Sequence, residues 1–539
     1  MAAVFQKAYD RLLSGCACEI KQDLISWINH DLNDLLGSNL QREDTLLGLT
    51  ALHAVFETAR KSLQKKAICP VIQEVVTALS QKETAENLMN LQLLTADKFT
   101  AHCCLITLNS LARCSMDLQQ LFFSNLGKHL DRLTMARNEE KTRCCQLITF
   151  LMTADTKSCH PEETNTNSCP VLTVSTLQTA NLHELSSAIL SAAVKCLHNM
   201  LPLVQEGASH DVLYPSLSLW LRLVHSHCSM DVLRGSLPQR LIQSSMGENP
   251  LVANMALEIL DRGLHPVTAE AQFSKVPLWV PSVGKQMIEA VQQGWFDKLC
   301  CRTGFCGFAG TRKAPSLKHS EQDAAVPLGD SRMIRRAMLV LLKSAAACLQ
   351  QGLQEGLPEA LEAGFAWLRS KTPTRISISD VDHLVHLFLE QDDQLMECLL
   401  STLLLHLHRP ASWTVSMPTL NPHRMFLKFL GSLGNDHVTL IDFVTSQETC
   451  ALLYFVRYLK LVLSEWDAFV RCHGELDGCP EVQDMSNPET HARLDVTMAT
   501  LVRTRIKLEK LSQRRDLLPF SVAPLVRLIE QCEMMYENG

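Results

Sequence analysis

The sequence predicts an all-α protein, built as an irregular array of stacked helical hairpins rather than as one bundle. Three observations predict it. Of 539 residues 88 are Leu, while Gly (22) and Tyr (5) are scarce. Unbranched side chains keep rotamer freedom in a helix, and Gly disfavours one. Apolar residues recur at three- and four-residue spacing along most of the chain, with little strand-type alternation. Finally, the chain is longer than one hydrophobic core accommodates, about 250 to 300 residues. Stacked hairpins escape that limit, because each pair buries its faces against its neighbours.

Residues 1–153 read as an N-terminal helical block. Its opening, MAAVFQKAYDRLLSG, is a short amphipathic helix without the long apolar core of a secretory signal. Residues 20–36 set Leu24, Ile25, Ile28, Leu32, Leu35 and Leu36 on one face, with Trp27 beside them. Residues 43–63 repeat the pattern through Leu46, Leu49, Leu52, Val55 and Phe56. Further helices are predicted at 70–80, 84–95, 98–113, 116–133 and 140–152. The polar stretch 154–172, rich in Thr and Asn, reads as a loop.

The central block, 173–299, carries helical periodicity at 181–200, 211–227, 231–245, 249–263 and 282–299. Within it, Pro250 to Leu264 looks like an inner helix of a HEAT or armadillo unit, with Val252, Ala256, Leu257 and Leu260 facing the core. No regular repeat with shared positions accompanies it. The expected architecture is therefore an irregular armadillo/HEAT-like α-solenoid. Residues 300–330 lack an apolar period and read as a flexible linker. A third block, 331–408, holds helices at 331–352, 357–370, 379–390 and 392–408. A loop leads to a block at 421–472, a short linker at 473–488 and a C-terminal helical hairpin at 489–539. Helices are expected there at 422–433, 436–444, 447–472, 488–515 and 522–536.

Helix starts have local signals. Asn249-Pro250, Asn421-Pro422 and Asn487-Pro488 each precede an apolar-periodic run. Asn accepts from free backbone donors, and Pro at the first helical position lacks a donor that would be orphaned anyway. Ser379 with Asp382, and Thr445 with Glu448, have capping-box spacing.

The formal charge is −7 and the isoelectric point about 6.3. Whole-chain attraction to nucleic acid or anionic lipid is not expected. The 21 cysteines are diluted over a long chain. Cys103, Cys104, Cys144, Cys145, Cys196, Cys348, Cys398 and Cys450 sit among apolar helical residues. They read as reduced core thiols of a cytosolic or nuclear protein. The best apolar run, Ala451 to Leu463, contains Arg457 and Lys460 and falls short of the roughly 18 to 20 residues a bilayer demands. No membrane partner is expected.

Chemistry-bearing motifs do not emerge. There is no phosphate loop, and Gly304, Gly307 and Gly310 have the wrong spacing for a dinucleotide fingerprint. HExxH, GxSxG and kinase motifs are missing. Asp392-Asp393 and Glu139-Glu140 read as helix-surface pairs. Three Cys/His groups were weighed as metal sites: Cys300, Cys301 and Cys306 with His319; His225, His227 and Cys228; Cys472, His473 and Cys479. None has two CxxC pairs or finger spacing. The expectation is no metal, no cofactor and no enzymatic activity. A basic cluster, Arg503, Arg505, Lys507, Lys510, Arg514 and Arg515, interleaves with Leu501, Ile506, Leu508 and Leu511. Its plain reading is a solvated face of an amphipathic helix. Its sharper reading is a nuclear-import or acidic-partner surface. No helix-turn-helix or finger context surrounds it, so direct DNA contact is not expected.

Residues 421 to 463 read NPHRMFLKFLGSLGNDHVTLIDFVTSQETCALLYFVRYLKLVL. This segment resembles the core signature of the Lines homologue family. The resemblance rests on Asp436-His437, Leu440 through Phe443, Ser446, Glu448-Thr449-Cys450 and Tyr454 through Leu463. Leu517 to Glu533 also resembles that family's closing segment. The resemblance implies an armadillo-like, non-enzymatic protein that shuttles between cytoplasm and nucleus. It implies a link to Wingless/Wnt patterning, through binding to regulators of transcription that include zinc-finger proteins. The polar link between Arg471 and Glu489 is shorter than the insert the family is expected to carry.

Read physically, the signature is mainly structural. Phe426, Phe429, Leu430, Leu440 and Phe443 form inner faces of a hairpin. Asp436 and His437 mark a helix start, and Thr445 or Ser446 starts the next. Leu452, Phe455, Val456, Leu459 and Val462 make a helical stripe. Asp436, His437, Asp442, Glu448, Arg457 and Tyr458 are the candidate partner surface. The leading expectation is an intracellular adaptor for protein partners in Wnt-linked transcriptional control. The alternative is a helical scaffold or assembly subunit unrelated to transcription. Partner identity and oligomeric state are not encoded in any motif.

Overall fold

The computed structural model describes residues 21–22, 42–64, 67–68, 70–80, 84–95, 97–112, 125–126, 128–131, 138–153, 172–173, 193, 196, 210–225, 237–247, 249–264, 279–299, 331–371, 379–410, 413, 420–446, 448–474, 488–513 and 520–538. The polar stretches at 154–171 and 300–330, the helix expected at 20–36 beyond Gln22 and most of that at 181–200 lie outside the described residues. The fold is all-α. Among the described residues the one extended element is a two-residue antiparallel pair, β1 (Ala67–Ile68) with β2 (Leu172–Thr173), in which Ala67 faces Thr173 and Ile68 faces Leu172. The chain divides into two compact units, Met1–Val232 and Leu233–Gly539. This boundary falls inside the 173–299 stretch.

In the first unit the helices are α1 (Arg42–Gln64), α2 (Pro70–Ser80), α3 (Thr84–Leu94), α4 (Lys98–Ala112), α5 (Asn138–Thr153) and α6 (His210–His225). The stripe foreseen on α1 is its buried face, with Leu49, Leu52, Val55 and Phe56 at 0% exposure. It packs on α4, and Thr107 donates across to the Leu49 carbonyl at 3.3 Å. Arg143 of α5 donates to the Gln92 and Leu93 carbonyls at 3.2 Å, closing the C-terminal end of α3, whose last carbonyls have no intrahelical donor. Cysteines fill this core as small apolar groups. Cys144, Cys145 and Cys196 are buried, and the Cys145 and Cys196 sulfurs lie 3.6 Å apart as free thiols. Burial pushes the Cys104 thiol up, so it stays protonated.

The second unit contains α7 (Leu237–Ser245), α8 (Pro250–Gly263), α9 (Trp279–Gln292), α10 (Trp295–Lys298), α11 (Ser331–Gln350), α12 (Leu357–Lys371), α13 (Asp380–Phe388), α14 (Asp392–His408), α15 (Pro422–Ser432), α16 (His437–Thr445), α17 (Ala451–Ser464), α18 (Trp466–Gly474), α19 (Pro488–Ser512) and α20 (Ala523–Asn538). Two of the Asn-Pro starts work as physics requires, and Asn487 of the third lies outside the described residues. Asn249 accepts from the Leu251 and Val252 amides and Asn421 from those of His423 and Arg424. Val252, Ala256, Leu257 and Leu260 are buried on α8. Two expected helices each break in two. Gly294, at φ 78°, separates α9 from α10, a left-handed turn that Gly adopts without a Cβ clash. Glu465 separates α17 from α18.

The organising element is α11, which packs against α8, α9, α12 and α14. Every residue from Met333 to Leu349 is buried. A helix enclosed on all sides should be apolar throughout. This one carries Arg335, Arg336 and Lys343 into the interior. Lys343 donates to Asp261 of α8 at 2.6 Å and to Glu397 of α14 at 2.9 Å. Arg336 meets Glu258 at 2.6 Å and the Asn254 side chain at 2.6 Å, and Arg332 approaches Glu258 at 3.7 Å. Three cations of α11 thus face three carboxylates of α8 and α14. Burial pushes the Lys343 ammonium down, but Asp261 and Glu397 outweigh it and hold the group above its usual range. The pairs advance in the same sense along α8 and α11, so these two helices run parallel. Gly284 brings α9 close to α11: a Cβ there would lie 2.7 Å from the Ser344 carbonyl oxygen. Among the described residues, no helix is long and apolar enough to cross a membrane.

Candidate functional site

The segment from α13 to α20 gathers the sequence-predicted residues. Its first corner is a compact helix-to-helix turn. At the end of α15 the Asn435 amide donates to Leu430 and the Gly434 amide to Gly431, at 3.0 and 2.9 Å. Gly434 and Asn435 both take positive φ, 65° and 56°. This is a Schellman closure, and Gly and Asn tolerate its left-handed geometry best. Asp436 follows at once as the N-cap of α16, accepting from the Val438 and Thr439 amides and the Thr439 hydroxyl. Those hydrogen bonds, led by that from Thr439, hold its carboxyl below the usual range. Thr500 of α19 donates to the Asn435 carbonyl at 3.1 Å, which ties the corner to the last hairpin.

The second corner departs from expectation. Thr445 does not cap a new helix. It ends α16, and its hydroxyl donates back to the Ile441 carbonyl. Ser446 accepts from the Glu448 amide, and α17 starts only at Ala451. The buried face of α17 comprises Ala451, Tyr454, Phe455, Tyr458, Leu459, Leu461 and Val462. It is turned from the expected stripe, because α14 and α16 pack on it as well as α20. Leu452 and Val456 are consequently half-buried. Tyr458, read from the sequence as partner surface, is fully buried. It stacks with Tyr454, and its ring lies 4.3 Å from that of Phe426. Asp442 and Glu448 are exposed, and Asp436, His437 and Arg457 are half-buried.

Three histidines converge on this core, and the sequence reading singled out none of them as a group. His406 of α14 and His423 of α15 point Nε2 at the two Glu465 carboxylate oxygens, at 3.3 and 3.5 Å. A carboxylate only accepts, so His406 Nε2 donates to Glu465, while His423 Nε2 stands beside the carboxylate without a hydrogen bond and its Nδ1 lies 3.4 Å from the Tyr458 hydroxyl. His473 of α18 faces the Phe469 carbonyl at 3.0 Å through Nδ1 and Thr497 of α19 at 3.2 Å through Nε2. Its Nδ1 must donate, and its Nε2 accepts. Burial pushes all three down, His423 to about 4 against the opposing pull of Glu465. They are neutral near pH 7 and lock tautomers and helix positions. The signal that could have found them is His in otherwise apolar helix faces, at His406, His423 and His473.

On the surface, α13, α15 and α19 frame an open groove of about 380 Å³. Val385 and Leu427 lie along it beside Lys428 and Asp382, which pair at 2.9 Å. The basic cluster separates into three kinds of residue. Arg505 is engaged by Glu509 and Glu533 at 2.7 and 3.0 Å. Arg503, Lys507 and Lys510 are exposed. Arg514 and Arg515 lie outside the described residues. Of the weighed metal groups, Cys472 and His473 are buried; Cys300, Cys301, Cys306, His319, His227, Cys228 and Cys479 lie outside the described residues.

Residues 258–473 match the family model described as the Lines N-terminus. The match begins at Glu258 and therefore takes in the buried ion network as well as the 421–463 segment. The chain is 30% identical over 250 residues to Protein lines of Drosophila melanogaster, covering 41% of this chain and 28% of that protein. It is 28% identical over 230 residues to Protein Lines homolog 1 of Homo sapiens, covering 38% and 29%. With the Mus musculus protein of the same name it shares 31% identity over 166 residues, covering 26% and 21%. The chain spans less than a third of the length of these curated relatives.

Proposed function

Because the chain belongs to the Lines family, we propose that it is a non-enzymatic intracellular adaptor, which binds protein partners and modulates Wnt-linked transcriptional regulation in the cytoplasm and nucleus. The observation that carries this is the match over residues 258–473, which spans α8's acidic residues through α18. Helical arrays offer long grooves that suit extended peptides and helices. The open groove beside Val385 and Leu427 is the candidate seat for such a segment.

The test is proximity labelling with the full chain, read separately in cytoplasm and nuclei. Transcription regulators, zinc-finger proteins among them, enriched over a diffusing control support the proposal. A partner set confined to ribosomal, cytoskeletal or trafficking proteins would replace it with the scaffold reading.

A further inference from the structure

Helix α19 turns one face to solvent. Ala492, Val496, Arg503, Ile506, Lys507 and Lys510 are exposed and fall within a sector of about 100°. The opposite sector, Leu494, Met498, Leu501 and Leu508, is buried. On the exposed sector, Val496 and Ile506 remain 48% and 41% accessible among the described residues, large values for aliphatic side chains. Arg503, Lys507 and Lys510 stand at i, i+4 and i+7, a row about 10 Å long. Like charges at i, i+4 repel, so the row weakens the helix unless an anion faces it. Glu509 and Glu533 hold Arg505, and Asp495 accepts from Tyr536 at 2.5 Å. Among the described residues, no carboxylate lies within ion-pair distance of Arg503, Lys507 or Lys510. The helix dipole favours Lys510 in the last turn but does not reach Arg503.

We propose that this face of α19 is a docking site for an acidic amphipathic segment of a partner protein, whose carboxylates align with Arg503, Lys507 and Lys510 and whose aliphatic side chains cover Val496 and Ile506. The proposal rests on the adaptor reading and names the surface and the partner chemistry. A protein segment fits better than a nucleic acid. The chain carries 57 acidic against 50 basic residues, so an extended polyanion is repelled beyond the row. A phosphodiester backbone also brings no aliphatic groups for Val496 and Ile506.

The full chain is titrated into a fluorescein-labelled helical peptide that carries Glu at i, i+4 and i+7 with Leu on the same face, followed by anisotropy at low ionic strength. Saturable binding is expected. Arg503→Ser/Lys507→Ser/Lys510→Ser weakens it about tenfold, since three exposed ion pairs each contribute a factor of about two. Arg503→Glu/Lys507→Glu/Lys510→Glu binds the Lys-for-Glu peptide instead. Should a variant lose helicity by circular dichroism, the wild-type chain decides: bound peptide protects Lys507 and Lys510 from amine acylation. No saturable binding, binding unchanged in the triple variant, or no protection of those lysines overturns the site. Tighter binding of a labelled single-stranded oligonucleotide, or of phosphatidylserine vesicles, reassigns it to phosphate and also overturns it. Because the probe is defined, its failure leaves the proximity-labelling result for the adaptor reading intact.

Discussion

Replacing Lys343 with Met keeps the volume and the unbranched shape of the side chain while removing its charge. What remains is a pair of carboxylates, Asp261 and Glu397, in a place where Lys343 and Asp261 are almost wholly shielded from water. Two routes give the size of the penalty. Breaking a buried ion pair from one side costs about 3 to 5 kcal/mol. Alternatively the site escapes by protonating one carboxyl, and moving a group from an ordinary pKa near 4 to beyond pH 7 costs about 4 kcal/mol. The agreement sets the expectation for Lys343→Met at about 4 kcal/mol. Two units need not unfold together, so a single melting curve is a poor measure. Amide hydrogen exchange read on peptides from residues 331–350 reports the local value, and a loss of about a hundred- to a thousandfold in protection is expected. The loss should shrink as the pH falls, because the stranded carboxylates then protonate. Adding Asp261→Leu and Glu397→Met should restore most of the protection. A loss below about fivefold, or one indifferent to pH, would refute the reasoning.

Other perturbations follow from the same contacts. Gly284→Ala sets a methyl 2.7 Å from the Ser344 carbonyl oxygen, a backbone atom, so α9 must shift; a destabilisation of about 1 to 3 kcal/mol is expected in the exchange of α9 and α11. Asn421→Ala removes the cap of α15 and a contact from its amide to Cys472; about 1 kcal/mol should be lost in urea unfolding followed by near-ultraviolet circular dichroism. For His423 the folded pKa, about 4, lies below the unfolded value near 6.5. The unfolded chain then binds the extra proton, so its contribution is fully present above about pH 6.5 and is lost as the pH falls toward 4. It amounts to at most about 3 kcal/mol for this group, with His406 and His473 acting in the same direction. Protection of the α15 amides, corrected for intrinsic exchange, should fall across that range, and His423→Phe should flatten the slope; an unchanged slope would contradict the burial argument.

Much of the helix layout is legible in the sequence, because it depends on local rules. Asn249-Pro250 and Asn421-Pro422 mark starts through a side-chain acceptor and an absent donor, and neither needs a distant residue. The misread places depend on what packs against them. Thr445 and Glu448 have capping-box spacing, but Thr445 satisfies its hydroxyl within α16 before any new helix begins. Tyr458 has an amphipathic side chain that suits a surface, and only the approach of α15 and α20 to α17 encloses it. Glu258, Asp261 and Glu397 look like ordinary helix-surface charges until α11 arrives with its cations from at least 74 residues along the chain in one direction and 54 in the other.

That reach has a consequence for how this protein can change. In a linear repeat array, a hairpin is added or deleted with only its two neighbours disturbed. Here α11 draws ligands from α8 before it and α14 after it, so none of these three helices can be excised without stranding a buried charge. Growth and loss are therefore steered away from α8, α11 and α14. The same closure orders events during synthesis: α8 leaves the ribosome with Glu258 and Asp261 lacking their cations, which arrive only with α11, and Lys343 gains its second carboxylate only with α14.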